Sequence, residues 1–573
     1  MRAATALMLA ASLVQATFLP PHIEELIKKQ VPAEPTGVKT IKSPGGVTIR
    51  YKEPGKAGVC ETTPGVNSYS GYVDLNEDTH MFFWFFEARN NPETAPITLW
   101  LNGGPGSDSL IGLFEEHGPC SVPANGSETI LNPYSWNEAS NMLYLSQPLG
   151  VGFSYATEVV GIINQTTDFP EASSHPDGRY SSVNPYRYDT TQLAAEGAWE
   201  IVQAFLQDLP ELDSKIKSRI FNLWTESYGG HYGPAFYHYF YDQNELGKQN
   251  IVFVSSFPQA MSQRSCEIEN GTIKGVKLNM HTLGIINGII SAYIQTPYYP
   301  EFAVNNTYGL KTMNDSMYNY AKLNWDFPGA CKDGISSCLE ADLTTPDGKS
   351  TCAESNAICR NLVEGVYYAV SGRDAYDIRA MANADIPPTQ WVGYLNTAHV
   401  QNAIGVDINY TSTSSEQVGV GFDYSGDFDY GEILTDLEDI LKSGVRVAMV
   451  YGDADYICNW FGGQAVSLAL NYSHKAEFAA SGYAPFTVDG VEYGESRQYG
   501  NFSFTRIYES GHEIPYYQPK AALAFFSRIL NDLVVADGTT PVSATYASNG
   551  TASATHTETY VTWYTGRPEG YYK

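Results

Sequence analysis

Ser227 stands in Thr225-Glu226-Ser227-Tyr228-Gly229-Gly230, directly after the short apolar run Ile220–Trp224. A serine on a tight strand-to-helix turn presents its hydroxyl at the C-terminal edge of a sheet. Backbone N–H groups at the start of the following helix favour negative charge developing beside it. The motif departs from G-x-S-x-G, because Thr225 takes the first glycine position. Taken alone, it also fits an ordinary serine in a glycine-rich turn. Asp455 and His512 change that balance. Asp455 follows the run Val445–Tyr451 in Tyr451-Gly452-Asp453-Ala454-Asp455. His512 follows the run Phe502–Tyr508 in Ser510-Gly511-His512-Glu513-Ile514-Pro515. A capping aspartate and a loop histidine are the bland alternatives. The order Ser, Asp, His, with each residue just past a strand, argues against them. Such a set does acyl transfer: His512 takes the Ser227 proton and returns it to the leaving group, while Asp455 holds the imidazole tautomer and its charged form.

These residues need a sheet to hold them. Strand patterns fall at Met81–Phe86, Ile97–Leu101, Met142–Ser146, Ile220–Trp224, Ile251–Val254, Leu283–Ile290, Val445–Tyr451 and Phe502–Tyr508. Helical spacing falls at Tyr188–Leu206, Ile433–Lys442 and Lys520–Leu533. Strands alternating with helices predict an α/β fold with a mostly parallel central sheet. The expected catalytic domain spans 51–290 and 396–535. Residues 291–395 break the rhythm with clustered cysteines and many Asn, Asp, Gly and Pro residues, and read as a cap inserted over the sheet. Residues 536–573 are rich in Ser, Thr and Ala and read as a disordered tail.

The chain has 573 residues and a formal net charge of −29, with no basic stripe, which argues against nucleic acid as a partner. Residues 1–16 have the basic start, apolar run and small-residue end of a secretory signal. Residues 17–50 then form an N-terminal segment that could be a propeptide, and Lys28-Lys29 reads as a processing site or a solvated pair. No later run is long enough to span a membrane. Sequons at Asn125, Asn164, Asn270, Asn305, Asn314, Asn409, Asn471, Asn501 and Asn549 fit a secreted glycoprotein. The cysteines are Cys60, Cys120, Cys266, Cys331, Cys338, Cys352, Cys359 and Cys458, and the cluster from 331 to 359 reads as two local disulfides. A zinc site is the rival reading, but no C-x-x-C pair or nearby histidine pair supports it. No H-E-x-x-H helix occurs, and the chemistry above calls for neither metal nor cofactor.

Further segments carry a family resemblance. Trp100-Leu101-Asn102-Gly103-Gly104-Pro105-Gly106, Gln147-Pro148, Gly152-Phe153-Ser154-Tyr155, Thr225–Gly230, Gly452–Trp460 and Gly511-His512 with Pro515 resemble the signature segments of serine carboxypeptidases. The match runs from about 60 to 535 and looks most like the fungal secreted branch, related to carboxypeptidase Y. It implies the α/β-hydrolase fold and removal of C-terminal residues from peptides and proteins. It also implies an oxyanion hole from the backbone N–H groups of Gly104 and Tyr228. The substrate carboxylate would meet Asn102, Gly103, Glu116 and Glu226, with Trp100 beside them. Two glutamates repel that carboxylate when ionised and hydrogen-bond to it when protonated, which predicts an acidic optimum. Without the family, Glu116 is simply part of a helical turn at Phe114–Glu116.

The resemblance also implies nested cap disulfides, Cys331–Cys359 and Cys338–Cys352, and a free Cys458 lining the pocket for the leaving residue; a different bridge between Cys60 and Cys120 is open, and the sequence does not fix the pairing of Cys60, Cys120 and Cys266. As core filler, Cys458 has a bland reading too. Two departures stand out. Ser107-Asp108-Ser109 replaces the cysteine that often follows G-G-P-G, so that link to the cap is missing. Glu513 replaces the methionine of carboxypeptidase Y, and either draws a basic substrate residue or is a solvated loop glutamate. Two rival functions share the fold. An acyltransferase would not need the carboxylate set, and a non-catalytic binding protein would not need an intact triad.

Overall fold

The computed structural model describes residues 31–43, 46–249 and 275–558. The signal segment, Lys28-Lys29, the strand expected at Ile251–Val254, Cys266 and Asn270 lie outside the described residues, as does the tail from 559.

Twelve strands form the main sheet. In chain order they are β1 (Lys39–Lys42), β2 (Thr48–Lys52), β3 (Ser68–Asn76), β4 (Thr79–Phe86), β5 (Ile97–Leu101), β6 (Asn141–Leu145), β7 (Ile220–Glu226), β8 (Asn279–Ile286), β9 (Arg446–Gly452), β10 (Ala484–Val488), β11 (Val491–Tyr499) and β12 (Phe502–Ile507). Their order across the sheet is β1-β2-β3-β4-β6-β5-β7-β8-β9-β12-β11-β10. The centre, β6-β5-β7-β8-β9-β12, is parallel throughout. Antiparallel hairpins extend it on both flanks. The apolar runs become central strands because both of their faces are covered.

Alternation sorts the side chains to two cores. Leu99, Leu101, Leu223, Leu283, Ile285, Val447 and Met449 pack on one face with Trp199, Phe205, Phe236 and Leu437. Those four come from helices α1 (Thr191–Leu212), α2 (Gly229–Gln249) and α3 (Glu432–Lys442). Trp100, Trp224, Ile286, Ala448 and Val450 face the other way, toward Phe525 and Phe526 of α4 (Pro519–Leu530). Helix α1 begins where Thr190 accepts a hydrogen bond from Leu193 N, a standard N-cap. No helix among the described residues is long and apolar enough to cross a membrane.

Between β8 and β9 the chain forms short helices above the sheet. Cys331–Cys359 and Cys338–Cys352 staple two of these helices together, and Cys60–Cys120 is the third disulfide. The loop without the family cysteine is tied down by other means. Asp108 N donates to Thr413 O at 2.8 Å, Ser415 N donates to Gly106 O at 2.9 Å, and Ser107 bridges Ser414. Buried Asp108 also accepts from Ser146 Oγ at 2.7 Å.

The tail corrects one expectation. Residues 537–558 are laid along the sheet edge rather than disordered. Ala547 pairs with Tyr499 and Thr551 with Tyr483. Ser548 Oγ donates to Gly482 O at 2.6 Å, and the His556 ring stacks on Tyr508 at 3.6 Å. A segment poor in apolar residues cannot fold alone, but the unpaired backbone of an edge strand gives it hydrogen-bond partners.

Candidate active site

The parallel strands deliver the expected residues to one edge. β5 ends at Asn102-Gly103-Gly104, β7 at Ser227, β9 runs on to Asp455, and β12 runs on to His512. Ligands collect at such C-terminal strand ends.

Ser227 has φ +64°, a left-handed conformation uncommon outside glycine. Its N–H donates to Ile286 O at 3.0 Å, and its carbonyl accepts from Ile289 N at 2.9 Å, so the turn is held from both sides. Thr225 fits where the motif has glycine because its neighbours make room. Its Oγ1 donates to Gly229 O at 2.7 Å. A Cβ on Gly229 would lie 2.5 Å from Thr225 Cβ, and one on Gly233 would lie 2.8 Å from Thr225 Oγ1. The missing glycine is thus offset one turn into α2. Gly103 has no freedom either, since a Cβ there would fall 2.3 Å from Tyr228 N. That contact sets the Gly103-Gly104 backbone against the residue that follows Ser227.

His512 Nδ1 and Asp455 Oδ2 are 2.6 Å apart, both residues buried. Asp455 also accepts from Asn287 Nδ2 at 2.6 Å and from Cys458 N at 3.2 Å. Cys458 is free and buried, with the Ser227 hydroxyl beside its thiol; burial first, then Asp455, push that thiol well above its usual range. Asp455, Cys458 and His512 each place one ligand-type atom within 4.8 Å of the others. As a metal cage the trio is poor, because Asp455 and His512 spend facing atoms on each other and the thiol is held protonated.

The second cluster is acidic. Asn102 Nδ2 donates to Glu116 Oε1 at 3.2 Å and to Glu226 Oε1 at 3.1 Å. Asn102 Oδ1 accepts from Trp100 Nε1 at 2.7 Å and from Gly112 N at 2.9 Å, which fixes its amide orientation. Glu116 closes the short π-helical turn Gly112–Glu116, and a Cβ on Gly112 would lie 2.1 Å from Trp100 Nε1. Burial raises Glu116 to about 7, opposed by its bonds to Glu226 and Asn102. Burial, Glu116 and then Glu513 push Glu226 well above the usual carboxylate range. Both carboxyls of the pair are thus biased toward the protonated form by burial. His512 Nε2 lies 4.0 Å from Glu226 Oε1, so the acidic pair and the Ser–His–Asp set form one continuous site.

Glu513 is half-buried and close enough to Glu226 to act on it. Among the described sequons, Asn125, Asn305, Asn314, Asn471, Asn501 and Asn549 are exposed, whereas Asn164 and Asn409 are half-buried. Two contributors escaped the sequence reading. Asn287 was hidden inside the run read as strand to Ile290, although an asparagine ending an aliphatic run was a usable signal. Tyr376, in a cap loop, accepts from His512 N through its carbonyl at 2.8 Å and lies over the imidazole at 5.0 Å between ring centres. Nothing local in the sequence marks it.

The serine carboxypeptidase family profile matches residues 54–532. "Carboxypeptidase S1 homolog A" of Arthroderma otae is 39% identical over 92% of this chain and 82% of its own length. "Carboxypeptidase S1" of Penicillium janthinellum is 37% identical over 83% of this chain and 97% of its own. The crystal structure of Kex1(delta)p, a prohormone-processing carboxypeptidase from Saccharomyces cerevisiae, superposes with a TM-score of 0.60 at 20% identity, covering 84% of this chain and 96% of that one. The fold is that of the α/β-hydrolases, and the chain belongs to the serine carboxypeptidase family of exopeptidase hydrolases.

Proposed function

We propose that this enzyme removes C-terminal amino acids through an acyl-enzyme on Ser227. His512 accepts the serine proton and passes it to the departing amino acid, and Asp455 holds the imidazole. The Gly104 and Tyr228 backbone N–H groups receive the oxyanion. Water then releases the shortened peptide. The substrate's terminal carboxylate rests on Asn102, Gly103, Glu116 and Glu226, beside Trp100. The observation that carries this reading is the Asn102-linked glutamate pair, with Glu226 Oε1 4.0 Å from His512 Nε2. An acyltransferase has no use for buried carboxyls kept protonated there.

The sign of the pH dependence follows. While protonated, the pair donates to a carboxylate. As pH rises through about 7 Glu116 ionises and repels it, so the enzyme favours acidic pH. Three disulfides and six exposed sequon asparagines support secretion as a glycoprotein. Cys458 and Glu513 border the leaving residue, and Glu513 favours Lys or Arg there.

A blocked dipeptide tests the reading. Wild type releases the free C-terminal amino acid, a serine-directed inhibitor stops it, and Ser227→Ala loses at least about 10³-fold in kcat. No release by folded wild type sinks it. In the same assay, Glu513→Gln lowers the preference for Lys over Leu ends, and an unchanged ratio removes Glu513 from the pocket.

A further inference from the structure

Tyr228 contributes its backbone to the proposed oxyanion hole, yet its side chain leads away toward residues 422–428, past the expected cap boundary. The residue is fully buried. Its hydroxyl donates to Asp427 Oδ2 at 2.6 Å. The same carboxylate oxygen accepts from Thr191 N at 3.0 Å and from Thr191 Oγ1, at the first turn of α1. The Tyr228 ring stacks on His231 at 4.4 Å and meets Phe428 at 5.2 Å and Phe422 at 5.9 Å. Every surface of the phenol is therefore in contact, and its one polar atom has one acceptor.

Asp427 is itself anchored from the cap. It is 3% exposed and follows Gly426, whose φ is +66°. A Cβ on Gly426 would lie 2.2 Å from Cys352 C, so this glycine lets residues 426–427 press against the disulfide-stapled helix Pro346–Cys359. Asp429 reaches the same helix by accepting from Ser355 Oγ at 2.5 Å. A continuous line of contacts thus joins the stapled cap helix, Asp427, the Tyr228 phenol and the backbone beside Ser227.

We propose that Asp427 is a positioning residue: it holds the Tyr228 phenol so that the Tyr228 N–H points at the oxyanion. This rests on the carboxypeptidase reading above. The physical reason is geometric. An oxyanion donor works only within about 2.7–3.1 Å of the developing charge. A tyrosine locked at its far end cannot let its own backbone tilt. The effect belongs to the transition state, so it falls on kcat and leaves KM in place. Its size is about 10- to 100-fold, below the ~10²–10³-fold of losing a donor outright.

The test uses the full-length enzyme, a blocked dipeptide, and the rate at which a serine-directed phosphonate labels Ser227. Tyr228→Phe keeps the ring packing and removes only the hydroxyl. It should lower kcat and the labelling rate together by about 10- to 100-fold, with KM within about twofold. Asp427→Ala should match it. Asp427→Asn, which keeps an acceptor, should recover most of the loss. Should Asp427→Ala fail to fold, Tyr228→Phe decides alone. A folded Tyr228→Phe with wild-type kcat overturns the proposal, as does a loss confined to KM. Wild type that neither releases amino acid nor takes the label would instead overturn the reading of Ser227.

Discussion

Two buried glutamate clusters in this molecule are treated in opposite ways. Glu61 is answered by Arg89 Nε at 2.9 Å, Asn137 Nδ2 at 2.8 Å and Thr63 N at 2.8 Å. Burial alone would raise its carboxyl, but the Thr63 bond, Arg89 and Asn137 outweigh burial and hold it below the usual range. Glu116 and Glu226 are as deeply buried and share one amide donor, Asn102. Burial prevails there and both carboxyls rise. The first arrangement holds a charge for the fold. The second, in the function proposed above, holds a proton for a ligand. The buried carboxyl without a cation is therefore the one that marks function.

The comparison is broken most severely at Arg89. Arg89→Met strands the Glu61 charge in the core and should cost about 3–5 kcal/mol, read as a shift of the urea midpoint near neutral pH. A loss below about 1 kcal/mol would mean that Glu61 is not carried as an anion. The two clusters also respond to pH with opposite sign. Glu61 has a lowered folded-state value, so its stabilisation is present above the unfolded carboxylate value and lost as pH falls through the folded one. Glu116 has a raised one, so its contribution is complete below the unfolded value and is lost as pH rises through about 7. A smaller effect sharpens that point. Glu116→Gln cannot ionise and should shrink the drop in melting temperature between pH 5 and pH 8, with about 1 kcal/mol at stake. An unchanged drop would show that the pair does not govern it.

Much of this was legible in the sequence because it is local. The runs at Ile97–Leu101 and Ile220–Trp224 became β5 and β7, and Ser227, Asp455 and His512 each stood just past such a run. The acidic pair was not legible from pattern. Glu116 and Glu226 lie far apart in the chain, and only the family resemblance joined them before the fold did. Asn287 was missed because a buried strand and the turn that ends it share one apolar run. Tyr376 was missed because the cap reaches the site through an irregular loop with no period to read, and Asp427 because it sits in the short turn Asp427–Asp429, beyond the expected cap boundary. The tail misled for a related reason: composition reports whether a segment can fold alone, not whether an edge strand awaits it.

The central claim is that protonated Glu116 and Glu226 select a peptide by its free carboxylate. Its most direct test is kcat/KM for one blocked dipeptide acid and for its C-terminal amide, measured from pH 4 to 8 on wild type. The account predicts that the preference for the acid is large at pH 4–5 and falls at least about tenfold as pH rises past 7. A preference that stays flat across that range would contradict it.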